Sequence, residues 1–191
     1  MKNFLDFSHF GYQVRRRELQ EQKLKDFRPD SKAEAGISYQ GSYMECGLSD
    51  AAYMRLLVQL LLAELVVLGI SIAVGCVTKT GMEGCFYLLL PYAGILVTSA
   101  LSVWLVIRMM LGGTALRSYV YSSTAGRLPA VTLIGILCAA AGGIGLLYAM
   151  NRGTYTGTGM GKYLFIAAVV LGFAGHLFVF IRRRAAKWTQ A

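Results

Sequence analysis

Two ionisable side chains lie inside otherwise apolar stretches, and they are the groups best suited to chemistry. Glu64 interrupts residues 56–77, and His176 interrupts residues 163–181. A carboxylate and an imidazole can bind a proton or a cation, and the imidazole can relay it. The same groups can instead serve packing and assembly, with Glu64 protonated or paired with His176, Gln59 or a partner subunit. The residue types alone leave both interpretations open.

Four long apolar stretches must position these two groups. They cover about 56–77, 85–107, 128–150 and 163–181, and a membrane-spanning helix needs about 20 predominantly apolar residues. Hydrophobic residues make up 55% of the chain and charged residues only 15%, a balance that is unusual for a soluble domain. The sequence therefore predicts an all-α integral membrane protein, with four transmembrane helices in a bundle and one membrane domain over 51–184.

The polar segments outside the bundle form two tails. Residues 1–50 hold eight of the ten acidic residues and predict a cytoplasmic tail. Opposite charges at four-residue steps predict a helix over 13–27 within it. Residues 30–48 contain Gly, Ser and isolated aromatics without a period, which is typical of a linker. Residues 185–191 predict a short C-terminal cytoplasmic tail.

The distribution of basic residues predicts the orientation of the bundle. Nine Lys and Arg lie in the tail through Arg55, three lie in 108–127, and four follow Ile181, which places 16 of the 19 on one side. Because cytoplasmic segments carry the excess of Lys and Arg, both termini should face the cytoplasm. We expect the plasma membrane as the location. The first ten residues lack the apolar core of a cleavable signal peptide.

Two arginine runs are suited to anionic lipid headgroups, which attract cations next to the membrane. They are Arg15, Arg16 and Arg17 in the tail, and Arg182, Arg183 and Arg184 after the last span. The net charge of +9 would also suit nucleic acid, but that needs basic residues gathered on a soluble face. Here they flank apolar spans, so we expect the lipid bilayer and no nucleic acid as partner.

The two ionisable groups should lie at similar depths. Glu64 is eight residues from Leu56, about 12 Å from the cytoplasmic edge, and His176 is five residues from Ile181, about 7 to 8 Å from the same edge. If the first and last spans are neighbours, the carboxylate and the imidazole can form a hydrogen bond. An isolated charge at mid-helix costs about 2.5–3.5 kcal/mol, so a partner or protonation is expected.

Small residues at helical spacing predict which helix faces meet, because helices in lipid associate through close backbone approach at Gly, Ala, Ser and Thr. The predicted packing positions are Ser71 and Gly75 in the first span, Gly94, Thr98 and Ser102 in the second, Gly135, Ala139 and Gly143 in the third, and Ala168 and Gly172 in the fourth. Glu64 shares the face of Ser71, and His176 shares the face of Gly172. Both side chains should therefore point into the bundle.

The cysteines and the remaining polar residues offer little further chemistry. Cys76 and Cys85 bracket the loop between the first two spans, where they would form a disulfide in an oxidising exterior or remain inert thiols. Cysteines and histidines show no metal-ligand spacing, so no metal or cofactor is predicted. No nucleophile stands with a base, and no acids are paired. We therefore expect a protein that is not an enzyme.

The segment Leu62–Val66, with the letters LAELV, resembles the first-helix glutamate segment of the small multidrug resistance transporters. The resemblance covers a short part of the first span. It implies that Glu64 exchanges protons for cationic substrates. The chain departs from that family by its 50-residue polar tail, by His176, and by a third span that is not rich in aromatic residues.

Two functions of different classes follow from these patterns. The first is a non-enzymatic subunit or accessory or scaffold protein of a membrane complex, with other membrane proteins or further copies of the chain as partners. The second is a small proton- or cation-coupled transporter or channel centred on Glu64. We expect the second to be an oligomer, since four helices enclose little space by themselves.

Overall fold

A computed structural model of the protein describes residues 27–29, 37–39, 41–82 and 85–190. Within them, four helices are long and apolar enough to cross a membrane. The helices are α1 (Asp50–Cys76), α2 (Phe86–Gly112), the short α3 (Ser118–Ser123), α4 (Leu128–Asn151) and α5 (Gly159–Arg182). The predicted all-α membrane protein with a four-helix bundle is confirmed.

The four long helices form a closed ring. Helix α1 packs against α2 and α5, and α4 packs against the same two helices. The first and last helices are therefore neighbours, although no short loop joins them. This adjacency was the condition for a contact between Glu64 and His176.

The helices reach beyond the predicted spans at the end of the bundle where α1 begins and α5 ends, which we call the basic end. Helix α1 starts at Asp50, and a carboxylate in the first turn is favoured by the helix dipole. Its side chain accepts a hydrogen bond from Thr114 Oγ1 at 2.8 Å. Helix α2 ends at Gly112 and is followed by Gly113, which has φ of +71°, a conformation that glycine adopts without strain. A helix of 27 residues is about 40 Å long, which exceeds the hydrocarbon thickness of about 30 Å.

Apolar side chains fill the ring and also cover its outside. The core consists of a group at the basic end, a central group and a group at the opposite end; they include Leu57, Leu60 and Val106, then Val67, Ile95 and Ala139, then Leu88, Phe165 and Val169. Large apolar residues such as Leu62, Leu90 and Leu147 are exposed on the outer surface. An apolar outer surface suits helices whose solvent is lipid.

The described residues also form two small antiparallel sheets. In the first, strand β1 (Phe27–Pro29) pairs with β2 (Ile37–Tyr39). The second closes the basic end and has the order β4 (Ala115–Arg117), β3 (Tyr43–Cys46), β5 (Trp188–Gln190). Met44 lies opposite both Leu116 and Gln190. The second sheet therefore joins the segment before α1, the connection after α2 and the segment after α5.

These strands differ from the predicted tails. Strands β2 and β3 lie within 30–48, which we predicted to be a linker, and β5 lies within the predicted tail 185–191. Strands of three or four residues are too short to show alternation in the sequence. Of the predicted helix over 13–27, only Phe27 is among the described residues, and it begins β1. Arg15, Arg16 and Arg17 also lie outside the described residues.

The opposite end is tied together by the loop after α4. The hydroxyl of Tyr155 donates to the carbonyl oxygen of Thr80 at 2.7 Å, and burial raises the pKa of Tyr155. A tyrosine phenol is protonated at neutral pH, and burial extends the range in which it remains a donor to higher pH. The backbone N–H of Thr158 donates to the carbonyl of Lys79 at 3.1 Å. These bonds connect the loop before α5 to the loop after α1.

Trp188 gives a test of the sheet at the basic end. Its ring packs edge-on against the ring of Tyr53, with the ring centres 5.8 Å apart. It packs at a tilt against the ring of Tyr121, with the ring centres 5.3 Å apart. We expect Trp188→Ala to lower the free energy of unfolding by about 2 kcal/mol, since a half-buried ring and two aromatic contacts are lost. Thermal unfolding of the purified protein in detergent measures this. Trp104→Ala is the matched control, because Trp104 is 62% exposed on the outer surface; an equal loss in both variants would contradict the prediction.

Candidate functional site

Glu64 and His176 meet in the centre of the bundle. Glu64 Oε1 lies 3.0 Å from His176 Nδ1, and both side chains are 0% exposed. On α1, Glu64 lies on the buried face that includes Leu60 and Val67. On α5, His176 follows the buried residues Ala168 and Gly172 at four-residue steps. We call Glu64 and His176 the buried pair.

Thr98 on α2 is the third member of the site. Its Oγ1 lies 3.2 Å from His176 Nε2, and the same hydroxyl donates to the carbonyl oxygen of Gly94 at 2.7 Å. The sequence pattern placed Thr98 on a packing face as a small residue and gave no hint of a bond to the imidazole. With Thr98, the hydrogen bonds of the buried pair connect α1, α5 and α2.

Helix α4 contributes a surface without a side chain. The imidazole of His176 lies against Gly135, so closely that a Cβ atom at this position would be 2.8 Å from the ring atom Cγ. Cβ atoms in proteins essentially never approach other heavy atoms more closely than 3.0 Å. Gly135 was predicted as a helix-packing position, and the structure places the histidine ring of α5 on it. The other three membrane helices, α1, α2 and α4, therefore surround His176 of α5.

The bond network limits the proton positions. The hydroxyl of Thr98 has one proton, and the Gly94 carbonyl, its closest partner at 2.7 Å, can only accept. When the hydroxyl donates to that carbonyl, Nε2 of His176 carries a proton and donates it to Thr98 Oγ1. Nδ1 either accepts a proton from neutral Glu64 or, in an imidazolium, donates to the carboxylate. Both arrangements hold the same number of protons and leave the buried pair without net charge.

Removal of one proton would change this network. Nδ1–H would donate to a Glu64 carboxylate, and Nε2 would become an acceptor. A donor for Nε2 would then be needed, and the Thr98 hydroxyl could supply it by turning away from the Gly94 carbonyl. The acceptor to which the Thr98 hydroxyl donates therefore depends on the charge of the buried pair.

One oxygen of the carboxylate is left without a hydrogen bond. Glu64 Oε2 is buried and has no partner among the described residues, and the same holds for the hydroxyls of Ser71 and Ser102. A buried polar atom without a partner costs about 1–3 kcal/mol, more when it is charged. Oε2 can bind a proton, coordinate a cation or accept a hydrogen bond from a second donor. It is the atom of the site best suited to a ligand.

The described residues hold no group of three or more His, Cys, Asp and Glu that could bind a metal ion. Glu64 and His176 would supply two ligands, fewer than the protein ligands of ordinary metal sites. Gln59, an alternative partner for Glu64 in the sequence, instead accepts a bond from Arg182 at 2.8 Å. The pairing that the structure shows is the one with His176.

The other predicted packing residues lie at helix contacts. Ser71, Thr98, Ser102, Ala139 and Ala168 are buried. Of the glycines, Gly75 faces the hydroxyl of Tyr92, Gly94 faces Cys138, Gly143 faces Val169, and Gly172 faces Ile95. A side chain at Gly94 would collide with Cys138, whereas Gly143 has ordinary contact distances around it.

Two further sets of predicted residues do not join the site. Cys76 and Cys85 are free thiols, so the disulfide alternative is not what the structure shows. Arg183 and Arg184 lie at the basic end, with their guanidinium carbons 5.1 and 5.3 Å from the ring centre of Phe180. They follow His176 by about two turns of helix, toward the basic end, and do not touch the buried pair.

Comparison of the chain with protein-family models, with curated proteins and with solved structures found no match. The resemblance of Leu62–Val66 to the small multidrug resistance transporters therefore rests on that segment alone.

The contact between Gly135 and His176 gives the second prediction. Gly135→Ala should displace the imidazole and break a bond to Glu64 or Thr98, lowering the free energy of unfolding by about 1–3 kcal/mol. Gly143→Ala on the same helix is the control: its new methyl group would be 3.6 Å from Val169 Cγ1, and alanine favours the helix by about 0.5–1 kcal/mol. Thermal unfolding in detergent compares the two. If Gly135→Ala is as stable as Gly143→Ala, the ring does not depend on the glycine.

Proposed function

We propose that the protein is a non-enzymatic subunit or accessory protein of a membrane complex, in which the buried pair fixes the arrangement of the bundle. One observation carries the structural part of this proposal. Both side chains of the pair are 0% exposed, and they are bonded to each other and to Thr98. A group that must exchange ions with water needs access, whereas a group that joins helices needs enclosure.

The energy of a buried carboxylate supports this role. An unpaired charge at the centre of a membrane helix costs about 2.5–3.5 kcal/mol. The bond between Glu64 and His176 avoids this cost only when α1 and α5 are adjacent and in the correct register. Buried polar groups can select one register among several apolar alternatives. The pair would thus favour one arrangement of four otherwise similar apolar helices.

A groove on the outer surface supports binding to other membrane proteins. It runs between α1 and α5, has a volume of about 440 Å³, and is lined by residues that include Ala63, Val66, Ala174, Gly175 and Phe178. Small residues let a second helix approach closely. Ala63 precedes Glu64, and Gly175 precedes His176. A transmembrane helix of a partner, or of a second copy of the chain, would therefore lie next to the buried pair.

The same proposal includes the orientation and the location. The excess of Lys and Arg in the segments flanking the basic end supports cytoplasmic termini, and the plasma membrane is the location we propose with it. Arg182, Arg183 and Arg184 would then lie at the level of anionic headgroups in the inner leaflet.

A double-mutant cycle tests the joining role of the buried pair. We expect Glu64→Ala and His176→Ala each to destabilise the protein, and the double variant to be about 1 kcal/mol more stable than the sum of their effects predicts, as for other hydrogen bonds between membrane helices. The exposed bond between Gln59 and Arg182, removed in the same way, should show a coupling energy near zero. Thermal unfolding in detergent gives the energies.

Co-purification in mild detergent tests the accessory role. Glu64→Ala should reduce the amount of a bound membrane protein that co-elutes, because the groove adjoins the buried pair. If the two coupling energies are equal and co-elution is unchanged, the buried pair neither joins the helices nor shapes a binding surface.

Proton-coupled transport is the second candidate, and the unpartnered oxygen Oε2 of Glu64 favours it. A carboxylate with a free acceptor and a histidine that can take up its proton could bind and release a proton or cation. The enclosure of the pair would then represent one state of a cycle, and the groove beside Ala63 and Gly175 would mark the way in.

Glu64→Gln tests transport because it keeps the size of the side chain and removes its exchangeable proton. If Glu64 carries protons, proton flux into liposomes under a pH gradient should fall to background in Glu64→Gln. Glu45→Gln is the matched control, since Glu45 is an exposed carboxylate at the basic end, and its flux should equal that of the unmodified protein. Unchanged flux in Glu64→Gln, together with weaker co-purification in Glu64→Ala, would exclude transport through Glu64.

A further inference from the structure

A second polar region lies at the basic end, away from the buried pair. It is a cavity of about 160 Å³ between the start of α1, the end of α2, the connection into α4 and the segment after α5. Its lining includes the aromatic rings of Tyr53, Tyr121 and Trp188 and the guanidinium groups of Arg183 and Arg184. None of the functions discussed above uses this cavity.

Two hydrogen-bonding atoms in the lining residues are buried and have no partner in the part of the chain that the structure describes. They are the hydroxyl of Tyr53 and Nε of Arg183, and Tyr53 as a whole is 1% exposed. A guanidinium N–H only donates, and a phenol donates when an acceptor is near. Buried Tyr hydroxyls usually have a hydrogen-bond partner. The two atoms therefore call for an acceptor inside the cavity.

The charge of the lining selects the kind of acceptor. Among the described residues, two arginines line the cavity and no Asp or Glu does. Their guanidinium carbons lie 5.1 and 5.3 Å from the ring centre of Phe180, and this cation–π contact leaves their N–H groups available as donors. The planar donor arrangement of Arg matches the oxygens of phosphate and carboxylate groups, and Arg is frequent in phosphate recognition.

The position at the end of the bundle favours phosphate over carboxylate. Helix α5 ends at Arg182, where a membrane-spanning helix reaches the headgroup layer and its phosphates. The cavity is also smaller than the roughly 300–1,000 Å³ of sites for drug-sized molecules. Its size therefore suits a single anionic group rather than a large metabolite.

We propose that this cavity binds a phosphate group through Arg183 and the hydroxyl of Tyr53, with Arg184 adding positive charge. The phosphate belongs to a phospholipid headgroup or to a soluble phosphate compound. This site differs from general attraction of basic residues to a membrane surface, because that attraction does not require a buried Tyr hydroxyl. General attraction to a membrane surface would also act on Arg182. The guanidinium of Arg182 instead donates a hydrogen bond to Gln59.

Binding to the purified full-length protein in detergent tests the proposal. Isothermal titration calorimetry would compare inorganic phosphate, dihexanoyl phosphatidic acid below its micelle concentration, and dihexanoyl glycerol, which lacks the phosphate. We expect the phosphatidic acid or inorganic phosphate to bind and the glycerol compound not to bind. Tighter binding of the phosphatidic acid than of inorganic phosphate identifies a lipid headgroup, and equal binding identifies a soluble phosphate compound.

Three variants locate the site. Arg183→Gln should weaken binding roughly tenfold or more, and Tyr53→Phe about fivefold, as expected for the loss of one charged and one neutral hydrogen bond. Arg182→Gln is the matched control, because it removes an equal charge from the adjacent residue, which does not line the cavity. Thermal unfolding of each variant without ligand shows that it is folded, and Tyr53→Phe keeps the ring that contacts Trp188.

The proposal is overturned if neither phosphate compound binds. It is also overturned if the glycerol compound binds as tightly as the phosphatidic acid, if Arg182→Gln weakens binding as much as Arg183→Gln, or if Tyr53→Phe binds as tightly as the unmodified protein.

Discussion

The hydrogen bond between Glu64 and His176 is the interaction on which the arrangement of the bundle depends. Inside a membrane no water can satisfy a polar group, so a buried polar atom without a protein partner is costly in free energy. Glu64 finds a partner for Oε1 on α5, His176 finds partners on α1 and α2, and the imidazole fits only because Gly135 leaves space on α4. One ring of five atoms thus relates the positions of four helices.

Several polar contacts join the first and last membrane helices, which no short connection links. Helices α1 and α5 are neighbours in space, but most of the chain separates them. Three kinds of contact join them: the buried pair, the bond from Arg182 to Gln59, and the pairing of β3 with β5. Elsewhere around the ring, short chain connections keep successive helices together. Polar contacts therefore add to apolar packing at the closing contact of the ring, and the buried pair is the one among them that is fully enclosed.

The sequence predicts the parts of this structure that depend on a single segment. Hydropathy and length give the four helices, and the rise per residue places Glu64 and His176 at similar heights. Thr98 as the partner of Nε2 could not be predicted, because a threonine on a small-residue face looks the same whether it packs or bonds. The sheet of β3, β4 and β5 also could not be predicted, since its strands of three or four residues come from three distant segments.

The joining role and the proton role of the buried pair require the same geometry and differ only in access. In the enclosed arrangement, the pair holds one proton between Oε1 and Nδ1, and Thr98 completes the network. The separation from the outer groove is small: the groove is lined by Ala63 and Gly175, each adjacent in the chain to a member of the pair, and Val67 packs on Gly175. A helix bound in the groove would keep this side closed and preserve a joining role. A proton role instead requires a path from water to the pair, so occupation of the groove favours the joining role among the two proposed.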